Sequence, residues 1–488
     1  MRITGKAWLA ATVALGVAAA PPAAAQTSLQ QRVEAKLAEA GPGTRFGLVV
    51  AGEDGREIVA IAPEGRFIPA SNTKMFTTAA AFANLAGLDA PDADGGAAVR
   101  LEGGAGGVAD VVLEGHGDAR LSSATDCVVD CLAALADAVA AKTRIVRDVI
   151  GDDTLFPDQR WSPGMSWNNI PTRSGTGISA LTLDDNELAL RVVPGAAGQP
   201  PGVEGPAYYR LDNRALTVAA GASGLDIDRL PGSDLLRLTG TLAAGAASET
   251  LRLGIDDPAD YAAWRLKALL EARGVRVTGR ASARHRPLLP VDDPAVRKGA
   301  PAAPLPRHEP LARLTPPPLA EDLRLTAKVS QNLHAELLLR RVARQRGSGS
   351  LADGLAAVRA MLAQAGLTRT QYDFSDGSGM STYNRIAPRG AAAFLRWAAA
   401  QPWGAAWRST LPVAGVDGTL AKRFRGTALE GRLFAKTGSL NATSALAGYM
   451  IAKSGRTLTF ALYANDVPEG AGATPAMDAA LQLIAAEN

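Results

Sequence analysis

The chain has 488 residues, of which 47% are hydrophobic, 20% charged and 5% aromatic. That balance excludes a disordered chain, because the apolar surface is enough to offset the entropy of ordering. A formal charge of +3 excludes the basic excess of a typical nucleic-acid binder, and four histidines with two cysteines leave little material for a metal or haem site. No cofactor and no metal are therefore expected.

In chain order, Arg2 and Lys6 make a basic start, Ala7 to Ala20 is an apolar run, and Ala23-Ala24-Ala25 is the small-residue pattern a signal peptidase reads. The run is shorter than the roughly 20 residues a spanning helix needs. Residues 1–25 are expected to be a signal peptide cleaved after about Ala25, with the remainder exported to the periplasm and in at most peripheral contact with a membrane. Arg45 to Ala62 reads as a hairpin turning at Asp54-Gly55, followed by a helical run from Ser71 to Leu85. From about Pro91 to Leu289, short strands, glycines and turns predict one or two β-rich modules. Within them Cys127 and Cys131 stand at the start of a helical pattern ending near Ala141. An oxidising location favours a bridge between them, whereas i,i+4 spacing permits one only where the helix end is distorted.

Ten of the 30 prolines fall between Arg286 and Pro318, a stiff return path from the insertion. Leu319 to Arg346 then reads as one long helix and Leu351 to Ala365 as a second, ended by Gly366. A third is expected over Ala391 to Ala400. Ala445 to Ala452 and Thr457 to Ala464 form a terminal hairpin around Ser454-Gly455. Neither outer part has enough elements to close a core alone, so 26–90 and 305–488 are expected to form one α/β (α+β) domain, with 91–304 inserted.

No Gly-x-Ser-x-Gly turn and no histidine-based catalytic motif occurs, so a serine nucleophile needs another base. Ser71-Asn72-Thr73-Lys74 offers one. Residues i and i+3 share a helix face, and a partly buried lysine next to a positive group loses its proton more readily. Ser-x-Asn occurs at Ser166, Ser330 and Ser439. Ser330-Gln331-Asn332 is preferred, because Ser166 lies in a Pro/Trp/Gly loop and Ser439 overlaps the next motif. Lys436-Thr437-Gly438 precedes the terminal hairpin, where an edge strand can present its backbone to a peptide. Lys453-Ser454-Gly455 is set aside as a turn. These three motifs are the set shared by penicillin-binding proteins and class A β-lactamases. The 259 residues between Ser71 and Ser330 exceed what a compact β-lactamase needs.

The chain resembles the class C low-molecular-mass penicillin-binding proteins, the D-alanyl-D-alanine carboxypeptidase/endopeptidases of the penicillin-binding protein four type. Gly115-His116-Gly117-Asp118, Asp376-Gly377-Ser378-Gly379-Met380-Ser381 and the run Leu411 to Leu420 extend the resemblance over most of residues 30 to 485. It implies a serine β-lactamase/DD-peptidase-like domain with an antiparallel sheet and helices, plus inserted β-rich domains. The implied activity is cleavage of peptidoglycan stem peptides through an acyl-enzyme, with β-lactams as inhibitors.

The resemblance also implies roles. Ser71 attacks the carbonyl between the last two D-alanines and Lys74 takes its proton. Ser330 and Lys436 relay a proton to the leaving amine, and Asn332 orients Lys74 and the substrate amide. Thr437, Gly438 and Ser439 line the place of the terminal carboxylate, and the N–H groups of Ser71 and Ser439 form an oxyanion hole. Where the family often carries an arginine for the diaminopimelate side chain, this chain has Thr382. Asp152 or Asp153 is the expected acidic contact for that side chain's ammonium end. A homodimer is compatible with the sequence. The rival readings are a serine β-lactamase, for which no deacylating Glu motif is found between Ser330 and Lys436, and a non-catalytic peptidoglycan-binding protein.

Overall fold

The computed structural model describes residues 28–103 and 107–488. The expected signal peptide and its cleavage point lie outside them. The chain opens with α1 (Leu29–Ala38), the hairpin β1 (Arg45–Ala51) and β2 (Glu57–Ile61), and α2 (Thr73–Asn84). A single 3-10 turn, Ala70–Asn72, leads into α2 and carries Ser71.

The insertion follows. β3 (Ala98–Glu102), β4 (Asp110–Glu114), α3 (Leu132–Lys142), β5 (Ile145–Val146) and β6 (Val149–Pro157) begin its larger layer. β7 (Glu187–Val193), β8 (Gly202–Glu204), β9 (Arg210–Asn213), β10 (Leu216–Val218), β11 (Gly224–Asp228), β12 (Leu235–Ala243) and β13 (Glu249–Gly254) form two small sheets. α4 (Pro258–Ala272), β14 (Arg276–Val277), β15 (Ala281–Arg286) and β16 (Ala312–Arg313) return to the larger layer. Its sheet has the order β15-β6-β4-β3-β16, with β4, β6 and β15 parallel. Val111, Val149, Leu135, Leu266 and Leu270 belong to the core between this sheet and helices α3 and α4. The proline-rich return stays with this sheet as far as Arg313, which pairs with Ala98, beyond the expected boundary at residue 304.

Cys127 and Cys131 are disulfide-bonded. The helix expected from Cys127 starts only at Leu132, so the bridge closes a loop ahead of it and escapes the helical spacing that would have held the two side chains apart.

The chain then runs through α5 (Leu319–Lys328), α6 (Asn332–Arg344), α7 (Leu351–Gln364), β17 (Tyr372–Asp373), β18 (Arg385–Ile386), α8 (Pro388–Ala399) and α9 (Gly404–Ser409). It ends with β19 (Leu433–Leu440), β20 (Thr443–Ile451), β21 (Thr457–Asn465) and α10 (Ala473–Glu487). The single helix read over Leu319 to Arg346 is two helices. Val329 ends α5, Ser330 takes the left-handed conformation (φ 65°), and the Gln331 side chain caps α6 by accepting from Leu333 N.

The two outer parts share one antiparallel sheet of order β19-β20-β21-β1-β2. Strand residues alternate between its faces. Val49, Ala447, Tyr449, Ala461 and Tyr463 face the core under α2, α7 and α8. Leu48, Val50, Met450, Phe460 and Leu462 face α1 and α10. Burying both faces leaves β19 as an edge beside the turn that carries Ser71.

Candidate active site

The buried start of α2 brings Ser71 and Lys74 together. Lys74 is fully buried. Its Nζ lies 2.9 Å from Ser71 Oγ, 2.6 Å from Asn332 Oδ1 and 2.6 Å from the carbonyl of Ser378. Burial pulls its amine down to about 7, against the pull of Asp376 and Glu336 in the other direction. It can therefore exchange a proton near neutral pH.

The break between α5 and α6 puts Ser330 and Asn332 on opposite sides of a cap. Asn332, the first residue of α6, meets Lys74, while Ser330 Oγ accepts from Lys436 Nζ at 2.9 Å. Lys436 also donates to its neighbour's carbonyl, Thr437 O, at 3.0 Å. Burial, and then the charge of Lys74, hold Lys436 well below the usual lysine range. Two lysines, two serines and one asparagine thus form a continuous polar patch.

β19 lies against the Ser71 turn. Asn72 Nδ2 donates to Lys436 O at 2.7 Å. A Cβ on Gly438 would lie 2.5 Å from Pro69 O, so only glycine lets the strand come this close. Thr437 Oγ1 donates to Thr419 Oγ1 at 2.7 Å, and Ser439 is exposed beyond it. The loop Leu411 to Leu420 braces this edge. Ala435 N donates to Pro412 O, and Lys328 holds Asp417 at 2.6 Å.

Two carboxylates form the layer beneath. Asp376 accepts from the N–H groups of Gly379 and Ser381 and from Asn384 Nδ2. Glu336 accepts from Gly377 N at 2.9 Å and Ser378 N at 2.8 Å. Together they set the Asp-Gly-Ser-Gly loop so that Ser378 O faces Lys74. A Cβ on Gly379, whose φ is +92°, would lie 1.9 Å from Ala70 O, so the loop packs directly on the nucleophile's turn. Asp376 belongs to a motif legible in the sequence, whereas Glu336 belongs to none of the motifs. Its signal is its place one turn along α6 from Asn332, with Arg340 a further turn on.

The insertion also reaches the site. Asn332 Nδ2 donates to Ser174 O at 3.0 Å. Met165 and Ser381 form a β-bridge, and Thr382 bonds through both its N–H and its hydroxyl to Gly164 O. Thr382 therefore joins the two domains at the exposed rim of the site. Asp153 stands elsewhere. It is 4% exposed and bonded to Ser179 Oγ at 2.8 Å and His285 Nδ1 at 2.9 Å, which leaves no open face for a substrate ammonium. Asp152 is likewise buried, bonded to Thr154 and Arg284. Both acids lie on β6, and their partners Arg284, Ser179 and His285 all belong to the insertion, which the residue types alone do not signal. Ser166 bonds Asn168 on the surface, apart from both lysines, and Lys453-Ser454-Gly455 is the β20–β21 turn. Among the described residues, no group of His, Cys, Asp and Glu is arranged to hold a metal ion.

Residues 29–488 match the family D-Ala-D-Ala carboxypeptidase 3 (S13). The chain is 35% identical over 458 residues to a D-alanyl-D-alanine carboxypeptidase of Actinomadura sp. (strain R39), covering 90% of this chain and 81% of that one. It is 25% identical over 342 residues to the D-alanyl-D-alanine carboxypeptidase DacB of Haemophilus influenzae, covering 67% and 66% of the two chains. The crystal structure of penicillin binding protein 4 (dacB) from Haemophilus influenzae has the same fold, with a TM-score of 0.78 at 21% identity over 93% of this chain and 98% of that one. Because the family match runs through both outer parts and the insertion between them, the chain belongs to the D-Ala-D-Ala carboxypeptidase 3 (S13) family and is a D-Ala-D-Ala carboxypeptidase.

Proposed function

We propose that the protein cleaves the terminal D-Ala-D-Ala bond of peptidoglycan stem peptides by a serine acyl-enzyme route, and that it also hydrolyses the D-alanyl bond of cross-linked peptides. The observation that carries the reading is the pair of lysine–serine contacts, Lys74 to Ser71 and Lys436 to Ser330, each 2.9 Å long.

In this reading neutral Lys74 takes the proton of Ser71 Oγ as the oxygen bonds to the scissile carbonyl carbon. The N–H groups of Ser71 and Ser439 stabilise the oxyanion. The carbon–nitrogen bond then breaks, with Ser330 and Lys436 passing a proton to the departing amine. Water attacks the ester, Ser71 regains its proton, and the shortened peptide leaves as a carboxylate. Asn332 holds Lys74 and the substrate amide, while Thr437, Gly438 and Ser439 receive the terminal carboxylate. A related crystal structure, that of the Haemophilus influenzae protein, is a complex with a β-lactam. By the same chemistry a β-lactam acylates Ser71 here and leaves slowly.

The place of action is the periplasm. Among the described residues no helix is long and apolar enough to cross a membrane. The test is an intact-mass time course of residues 26–488 with benzylpenicillin, beside Ser71→Ala. A persistent adduct of one penicillin, absent from the variant, is expected. Rapid turnover without an adduct favours a β-lactamase, and an adduct retained by Ser71→Ala moves the nucleophile elsewhere.

A further inference from the structure

A cavity of about 770 Å³ lies where the insertion meets the far end of α6. That volume is in the range of small-ligand sites, roughly 300–1,000 Å³. Its floor is the carboxyl side of the larger inserted sheet. Glu114, Asp152 and Arg284 are register neighbours across the parallel strands β4, β6 and β15. Crevices outside the carboxyl ends of parallel strands are where open α/β sheets bind ligands. The roof is the proline-rich return, at Leu305 to His308, and α6 closes one side with Arg344.

The lining has an excess of unpaired guanidinium groups. Arg284 is neutralised by Glu102 and Asp152, and Glu114 by Arg100. Arg307, Arg313 and Arg344 line the same cavity and make no ion pair among the described residues. Among the described residues, the Arg313 guanidinium meets Gly96 O and His116 Nε2, and that of Arg344 meets Gly347 O. Burial and then Arg313 hold His116 down at about 4, so the imidazole beside them is neutral near pH 7 and the positive charge of the cavity comes from the arginines. Guanidinium forks match carboxylates and phosphates alike. Asp94 on the same walls, with apolar Leu155, Leu305 and Ala93, disfavours a polyphosphate and suits a peptide that has N–H groups and short side chains beside its carboxylates.

We infer that this cavity is a second peptide-binding site, which holds a carboxylate-bearing peptide arm of the substrate away from Ser71. The inference rests on the peptidase reading above for the identity of the peptide, and on the cavity alone for the binding. α6 links the two sites. It has 13 residues, Asn332 in the catalytic patch and Arg344 in the cavity, so its ends lie about 18 Å apart at about 1.5 Å per residue.

The test is calorimetric titration of the full chain with a muramoyl tripeptide that lacks D-alanine and so cannot be turned over. The titration is run before and after treatment with benzylpenicillin. Binding that persists on the penicillin-treated protein, and that weakens about tenfold or more in Arg313→Gln/Arg344→Gln, is the expected result. Circular dichroism checks that the double variant is folded, and Arg307→Gln, at an exposed position, gives an independent reading with the same expected direction. Binding lost on penicillin treatment, binding indifferent to all three arginines, or no binding at all would overturn the inference. So would pyrophosphate displacing the peptide at equal concentration, which would mark a phosphate site. Release of D-alanine from a short D-Ala-D-Ala peptide by the wild type is measured in parallel. Its absence would strike the peptidase reading and leave the titration readable.

Discussion

Lys74 has no solvent contact and three hydrogen-bond partners, yet its amine titrates near neutrality because Asp376 and Glu336 offset part of the cost of burying it. A lysine left to desolvation alone would be a weak base, and one paired directly with a carboxylate would stay charged. Here neither carboxylate hydrogen-bonds the amine; both act on it by charge across the Ser378 loop that they hold in place. The rate at which benzylpenicillin acylates Ser71 should therefore rise with pH to a plateau, with a midpoint near 7, as Lys74 loses its proton. Glu336→Gln removes one of the two negative charges and should move that midpoint to lower pH. Stopped-flow acylation across the pH range measures both. A midpoint unchanged in Glu336→Gln would remove Glu336 from the electrostatics of the base. The Ser71–Lys74 pair was legible in the sequence because its partners are one helical turn apart. The Glu336 contribution was not, because the carbonyl it steadies lies 42 residues away, on another element.

At the scale of the element, the break between α5 and α6 makes the second motif work. An unbroken helix would carry Ser330 and Asn332 on different faces, turned away from their two lysines. The left-handed Ser330 instead lets Ser330 reach Lys436 and Asn332 reach Lys74. Periodicity did not reveal the break, because Leu323 and Leu338 on the two helices fall in one cluster and the apolar pattern runs through it. Gln331 caps α6 with its side-chain oxygen. Gln331→Ala should cost about 1 kcal/mol of stability through the lost cap. Because Asn332 starts at that cap, kcat/KM for D-alanine release should fall as well. Gln331→Asp should restore both, since a carboxylate also favours the positive end of the helix. Thermal unfolding and D-alanine release on the three proteins check this. Activity unchanged in Gln331→Ala would show that Asn332 holds its place without the cap.

At the scale of the whole molecule, the insertion is part of the site. It supplies Ser174 O to Asn332 and Gly164 O to Thr382. The outer domain was legible in the sequence because its strands alternate and its motifs are short. The insertion was legible only as strands and glycines, because its contacts with the catalytic patch are made by backbone carbonyls, which leave no residue-type signal. Asp153 illustrates the same limit. Its type suited a substrate ammonium, but its partner is His285, which sits 132 residues along the chain and also meets Asp257 at 3.1 Å. Hydrogen bonds to these two carboxylates push His285 up to about 10. A histidine that binds its proton more tightly in the fold stabilises it fully below its unfolded value of about 6.5. That contribution is lost as pH rises through about 10. His334, raised to about 9 by Asp185 and Asp322 against its own burial, acts in the same direction. The unfolding midpoint of the wild type should therefore fall between about pH 7 and pH 10. In His285→Gln, where both carboxylates keep a neutral partner, the protein should be less stable at neutral pH and the fall should be shallower, with only the His334 part remaining. Chemical denaturation at a series of pH values separates the two proteins. Equal slopes would mean that His285 is already neutral in the fold and that the three-residue cluster does not hold the insertion's strands by charge.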